Sequence, residues 1–132
     1  MQVWPSVRGF IAAALDREGS ARYVPADVLE LVLGNKARLW VSWNPDKHEI
    51  EAAAVTDIIV FPRGIKELRI WLVGGRNMRA WVEEMRDMIE AYARANGCTY
   101  LSGSMRKGWI RVGGEGWRQS GVTFEKRLTD GQ

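Results

Sequence analysis

One stretch restricts the fold more than any other: Lys66 to Gly97, which reads KELRIWLV, GGRN and MRAWVEEMRDMIEAYARANG in succession. Leu68, Ile70 and Leu72 alternate with Glu67, Arg69, Trp71 and Val73, the period of a strand with two unlike faces. Met78, Trp81, Val82, Met85, Met88, Ile89 and Tyr92 then recur at three- and four-residue steps. That spacing makes one apolar stripe on a helix, and Glu83, Glu84, Asp87 and Glu90 fall largely on its other faces. Asn77 suits the N-cap, and Gly97 after Asn96 suits a left-handed position just past the helix end.

The junction inside this unit carries a functional expectation. A helix entered from a Gly-rich loop presents unpaired backbone N–H groups and the positive end of its dipole. Such an end suits phosphate or pyrophosphate. Gly74 and Gly75 would let the backbone approach a ligand, and Arg76 and Arg79 add positive charge. Two adjacent glycines also suit a plain tight turn with solvated arginines.

The remaining chain alternates between the same two periods. Residues 6 to 17 read as a helix with Ser6 as cap and Val7, Phe10, Ile11, Ala14 and Leu15 on one side. A second, short helix is expected from Pro25, a residue favoured in a first turn, through Val28, Leu29, Val32 and Leu33 to Gly34. Residues 37 to 43 read as a strand, Asn44-Pro45-Asp46-Lys47 as a turn, and His48 to Phe61 as a second strand. Pro62-Arg63-Gly64 reverses the chain into the strand from Lys66, so these neighbours are expected to pair antiparallel. After Gly97, CTYLSGS gives a short strand that returns by a parallel crossover. Met105 to Val112 reads as a small helix, Val122, Phe124 and Leu128 as a terminal strand, and 129–132 as a loose tail. The expected order is ααβββαβαβ, a single α/β (α+β) domain over 1–132 with a mixed, mostly antiparallel sheet flanked by helices.

Composition narrows the function classes. With 132 residues and 46% hydrophobic content, one domain with a real core is the natural count. The net charge of +3 is uneven: Arg106, Lys107, Arg111, Arg118, Lys126 and Arg127 face only Glu115 and Glu125 between Ser104 and Leu128. That basic end could meet cofactor phosphates, nucleic acid or an acidic partner, or it could be a solvated surface. The lone Cys98 excludes an internal disulfide and a cysteine-based zinc site, and reads as an inert thiol in a cytoplasmic protein. The apolar run Gly9–Leu15 is too short for a membrane span. His48 has no carboxylate at a spacing typical of metal sites, so no metal is expected.

RLWVSW with its following turn, AAAVTDIIVFP, ELRIWLVGG, the run from Trp81 to Cys98 and the late RKGWIRVGGEGW together resemble the GNAT family of acetyl-CoA-dependent N-acetyltransferases. More narrowly, they resemble the small acetyltransferase-like proteins of tailed phages. The likeness spans Val7 to Leu128. It implies a GNAT-like fold in which Gly74, Gly75, Arg76, Asn77, Met78 and Arg79 hold the pyrophosphate of acetyl-CoA, while Leu72 and Val73 line its pantetheine arm. It also implies Glu67 as a general base acting through water. The sequence departs from the family at two points. The stretch from Gly74 to Ala80 lacks the usual [QR]-x-x-G-x-[GA] spacing, and the position of the tyrosine that protonates the leaving thiolate, four residues before Gly116-Trp117, is Val112.

Two functions follow as expectations: an N-acyltransferase acting on an unidentified amine, or a non-enzymatic phage protein that uses the fold in virion assembly or protein binding, in the virion or the host cytoplasm. A homodimer is compatible with either. Nucleic-acid binding through Trp109 and Trp117 in the basic end is a weaker third, since apolar Ile110 and Val112 point to core packing there.

Overall fold

The computed structural model describes residues 3–19, 21–104 and 116–129. Seven elements follow in order: α1 (Trp4–Glu18), α2 (Pro25–Leu33), β1 (Arg38–Asn44), β2 (Glu49–Val60), β3 (Lys66–Gly75), α3 (Met78–Ala95) and β4 (Tyr100–Gly103). The sheet runs β1-β2-β3-β4, antiparallel at the first two junctions and parallel at the third. This is the mixed sheet flanked by helices that the sequence predicts.

Helix ends follow local chemistry. α1 begins before Ser6 because Pro5 occupies its first turn, where a missing N–H costs nothing, so Ser6 is not the cap. It ends at Gly19, whose φ of 72° lets its N–H reach Leu15 O at 3.1 Å. α2 starts at Pro25 as expected, and Asp27 turns back to accept from the Val24 N–H at 2.9 Å. α3 closes as the glycine predicts. Gly97 sits at φ 75°, with its N–H on Arg94 O and that of Cys98 on Ala93 O, the paired bonds of a Schellman end.

Two apolar layers sandwich the sheet. On one face Val7, Ile11, Ala14 and Leu15 of α1 and Val28 of α2 meet Ala53, Val55 and Leu72. On the other, Trp81, Val82, Met85, Ile89 and Ala93 of α3 meet Ala52, Ala54, Leu68 and Ile70. Ala52, Ala53 and Ala54 are fully buried, so the centre of β2 lets helices approach closely from both sides.

One feature of β3 departs from its sequence pattern. Val55 pairs with Leu72, but the next residue, Thr56, pairs with Ile70, leaving Trp71 without an opposite number. This β-bulge shifts the alternation by one. Leu68 and Ile70 face α3, Trp71 and Leu72 both pack on the α1/α2 side, and Val73 returns to the α3 side. The expected placement of Leu72 with Leu68 and Ile70 is thereby corrected.

The terminal strand is also corrected. Residues 117–128 carry no regular secondary structure, and Val122, Phe124 and Leu128 are exposed. Only two apolar residues alternate before the charged run Glu125-Lys126-Arg127, which is too little to bury a strand face. Trp117 nevertheless packs against the α3 layer, and Glu125 lies 3.7 Å from Arg22. The small helix expected at Met105–Val112 lies outside the described residues, as do Trp109 and most of the basic end.

Candidate functional site

β3 and β4 run together for only four pairs, from Glu67↔Tyr100 to Ile70↔Gly103. Beyond Ile70, β3 continues through Trp71 to Gly75 while still pairing with β2 on its other side. Among the described residues no strand lines the β4 side of this second half. The pairing stops where β4 ends, at Gly103, one residue before the bulge at Trp71. Among the described residues, the β4-side edge of β3 therefore runs without a strand partner from Trp71 to the start of α3.

At the end of that edge the glycines do different work from that expected. Gly74 and Gly75 are the last residues of β3 rather than loop residues. A Cβ on Gly74 would lie 2.7 Å from the Phe10 carbonyl of α1, and one on Gly75 would lie 2.6 Å from both Ala52 Cβ and Glu51 O. They allow α1 and β2 to close on β3, so the space beside them is filled by the chain itself.

The turn into α3 is just Arg76 and Asn77. The Arg76 N–H donates to Glu51 O at 2.9 Å, and its carbonyl accepts from Trp81 Nε1 at 2.7 Å. Asn77 takes the left-handed conformation (φ 55°, ψ 42°), which asparagine tolerates better than most residues. It caps no helix amide. Its Nδ2 instead donates to Glu51 Oε2 at 2.5 Å, so the expected side-chain cap is absent. The N–H groups of Met78 and Arg79 have no acceptor within the helix, as for any first turn. Arg76 and Arg79 flank them, Arg76 lying 3.7 Å from Glu49 and over the Phe10 ring.

Glu51 is 4% exposed and is held from two sides, by Asn77 and by Asn44 Nδ2 at 2.6 Å. These two hydrogen bonds, Asn77 first, hold its carboxyl below the usual range despite burial, with help from Lys47 and Arg76. Sequence reading passed over it. The signal was a carboxylate next to Ala52-Ala53-Ala54, where a strand goes from half-covered to fully covered.

On the α1 side, Arg17 Nη2 donates to the Val73 carbonyl at 3.0 Å. This was also missed, since nothing local to Arg17 shows that the end of α1 lies over β3. Further back on the same face, Glu67 Oε2 accepts from Ser102 Oγ at 2.8 Å, across the last stretch where β3 and β4 remain paired. Arg69 pairs with Asp57 through two bonds of 2.9 and 2.6 Å, which raise its already high pKa, and it lies over Trp71. Trp71 donates to Glu18 at 3.0 Å and meets the edge of Tyr23. Glu67 and the α3 turn are thus separate: seven residues of strand lie between Glu67 and Gly75, roughly 25 Å of chain. The structure brings Val73 through Arg79 together at one corner and leaves Glu67 near the other end of β3, where it is paired with β4.

Among the described residues, no group of His, Cys, Asp and Glu is arranged to hold a metal ion, and no helix is long and apolar enough to cross a membrane.

No family model matches the sequence, and no curated protein matches it as a relative. Solved structures match its shape. A ribosomal-protein-alanine N-acetyltransferase from Brucella melitensis biovar Abortus 2308 superposes with a TM-score of 0.73 at 8% identity, over 96% of this chain and 93% of that one. An aminoglycoside acetyltransferase from an uncultured soil metagenomic sample, in complex with sisomicin, gives 0.72 at 10% identity over 97% and 90%. Glucosamine-6-phosphate N-acetyltransferase from Arabidopsis thaliana gives 0.67 at 13% over 98% and 95%. Helices on both faces of a four-stranded mixed sheet, superposing on acetyltransferases over nearly their full length, make this a single domain with the GNAT fold.

Proposed function

We propose that the protein is an N-acyltransferase that takes an acyl group, acetyl in the simplest case, from a CoA thioester and transfers it to an amine. The observation that carries this reading is that, among the described residues, β3 has no strand partner on the β4 side after Ile70, and this main-chain edge runs to the first amides of α3. Such an edge suits a narrow ligand rich in amides, and the helix start suits its diphosphate.

The residues fit this donor in part. Met78 and Arg79 offer main-chain N–H groups, and Arg76 and Arg79 offer charge. Gly74 and Gly75 serve packing instead. The Val73 carbonyl, the natural acceptor for an amide of the pantetheine arm, is held by Arg17, so a bound arm and that contact compete.

A CoA thioester supplies an activated acyl carbon with a good leaving group. Transfer forms a C–N bond, breaks the C–S bond and releases one proton from the amine. The chain's contribution is mainly positioning, with strand N–H groups near Trp71 polarising the carbonyl. Glu67, hydrogen-bonded to Ser102 on the open face, takes the proton through water. With valine at position 112, no tyrosine protonates the sulfur, and the thiolate takes its proton from solvent.

Isothermal titration with acetyl-CoA tests the reading directly. Saturable heat and a raised melting temperature are expected. No heat and no melting shift at millimolar ligand would refute it and leave the scaffold function, in a phage particle or a protein complex, as the alternative. Turnover then identifies the acceptor: release of free thiol on addition of a panel of amines, including aminoglycosides, amino sugars and peptide N-termini.

A further inference from the structure

We infer that Glu51 is a positioning residue that sets the turn before α3 in its anion-ready form, an inference that rests on the CoA-binding reading above. Glu51 holds both turn residues at once: its main-chain carbonyl takes the Arg76 N–H, and its carboxylate takes the Asn77 side chain. The second bond does two things. It keeps Asn77 in the left-handed conformation, which a residue with a Cβ occupies at a cost. It also draws the Asn77 side chain away from the first turn of α3, where asparagine would otherwise cap an amide. The amides that an anion needs stay available because the side chain that would cover them is engaged elsewhere.

Asn44 of β1 steadies the arrangement through the other carboxylate oxygen, so the turn is braced across three strands. The brace is short and nearly dry, and both partners are neutral amides that donate to a charge, the stronger kind of hydrogen bond. An acidic side chain this close to an anion site works against binding by charge alone. Its retention at the turn is therefore explained by geometry, which gives the inference a sharp test.

Glycine adopts the left-handed conformation freely, so it can replace the brace without replacing the carboxylate. Glu51→Ala is expected to weaken acetyl-CoA binding about tenfold, the scale of one charge-assisted hydrogen bond, and Glu51→Ala/Asn77→Gly is expected to recover most of it. Binding by Glu51→Ala equal to the parent, or a loss that Asn77→Gly leaves untouched, would overturn the inference. Should Glu51→Ala fail to fold, Glu51→Gln, which keeps an acceptor oxygen but not the charge, is expected to give a smaller loss that Asn77→Gly again recovers. The ligand-free proteins give an independent readout in amide exchange at Arg76, whose N–H is bonded to the Glu51 carbonyl, expected to speed up in Glu51→Ala and slow again in the double variant. If the parent chain binds no CoA, the functional reading falls. The exchange pattern alone then decides whether Glu51 sets the turn, and unchanged exchange would sink that as well.

Discussion

Gly74 and Gly75 sit where an added methyl group has nowhere to go. Both would press a Cβ against backbone or strand atoms closer than 3 Å, so Gly74→Ala and Gly75→Ala are each expected to destabilise the fold by about 1–3 kcal/mol in urea unfolding. Gly9 is the control: it lies in α1 with open space around its Cβ, and Gly9→Ala should stabilise by about 0.5–1 kcal/mol through helix propensity. Glu51 gives a pH signature at the same scale. Its carboxyl releases a proton more easily in the folded chain than in the unfolded one, so its stabilisation is complete above the ordinary carboxylate pKa. It is lost as pH falls through the lowered folded value. Thermal unfolding of Glu51→Gln from pH 6 down should therefore show a shallower acid limb than the parent, and parallel curves would count against a charged Glu51 held by its two amide partners. Of these residues, sequence reading found the glycines and left them between a ligand loop and a plain turn, not as strand residues packed against α1 and β2. GGRN looks the same whether its glycines serve a turn or two neighbours that arrive from far along the chain, Phe10 and Ala52.

Elements were more legible than residues. The stripe from Met78 to Tyr92 became α3, and its Trp81, 5% exposed, is core as expected. The three-strand meander and the short parallel β4 also follow the sequence. Periodicity failed inside β3. Trp71, Leu72 and Val73 are all apolar, so a skipped step in the alternation leaves no trace in the letters. Cross-strand partners leave no local trace either: Arg69 binds Asp57, and Glu67 takes Ser102. The contact between α1 and the open edge of β3 makes its own prediction. If Arg17 and a pantetheine amide compete for the Val73 carbonyl, Arg17→Ala should tighten acetyl-CoA binding severalfold by titration calorimetry. Weaker binding would mean that Arg17 contacts the ligand itself.

The whole molecule keeps the acetyltransferase shape at identities of 8 to 13% with the three enzymes named above. One shape accommodates sequences this different because it rests on apolar layers whose members exchange freely at constant volume. Function is less portable, and binding must be measured. A ligand at a hundredfold excess over its Kd stabilises by about 2.7 kcal/mol, so acetyl-CoA should raise the melting temperature by roughly 10 °C under that condition. No rise would separate this chain from the chemistry of its structural relatives. The extra residue in β3 has a consequence for changes in chain length. A strand counts its side chains in twos, and the bulge adds a single beat at Trp71. Deleting residue 71 would restore an unbroken ladder between β2 and β3 while leaving Leu72 beneath α1 and Val73 beneath α3. A deletion outside the bulge would instead turn the rest of the strand over, so β3 tolerates a change of length at that one place better than at its neighbours.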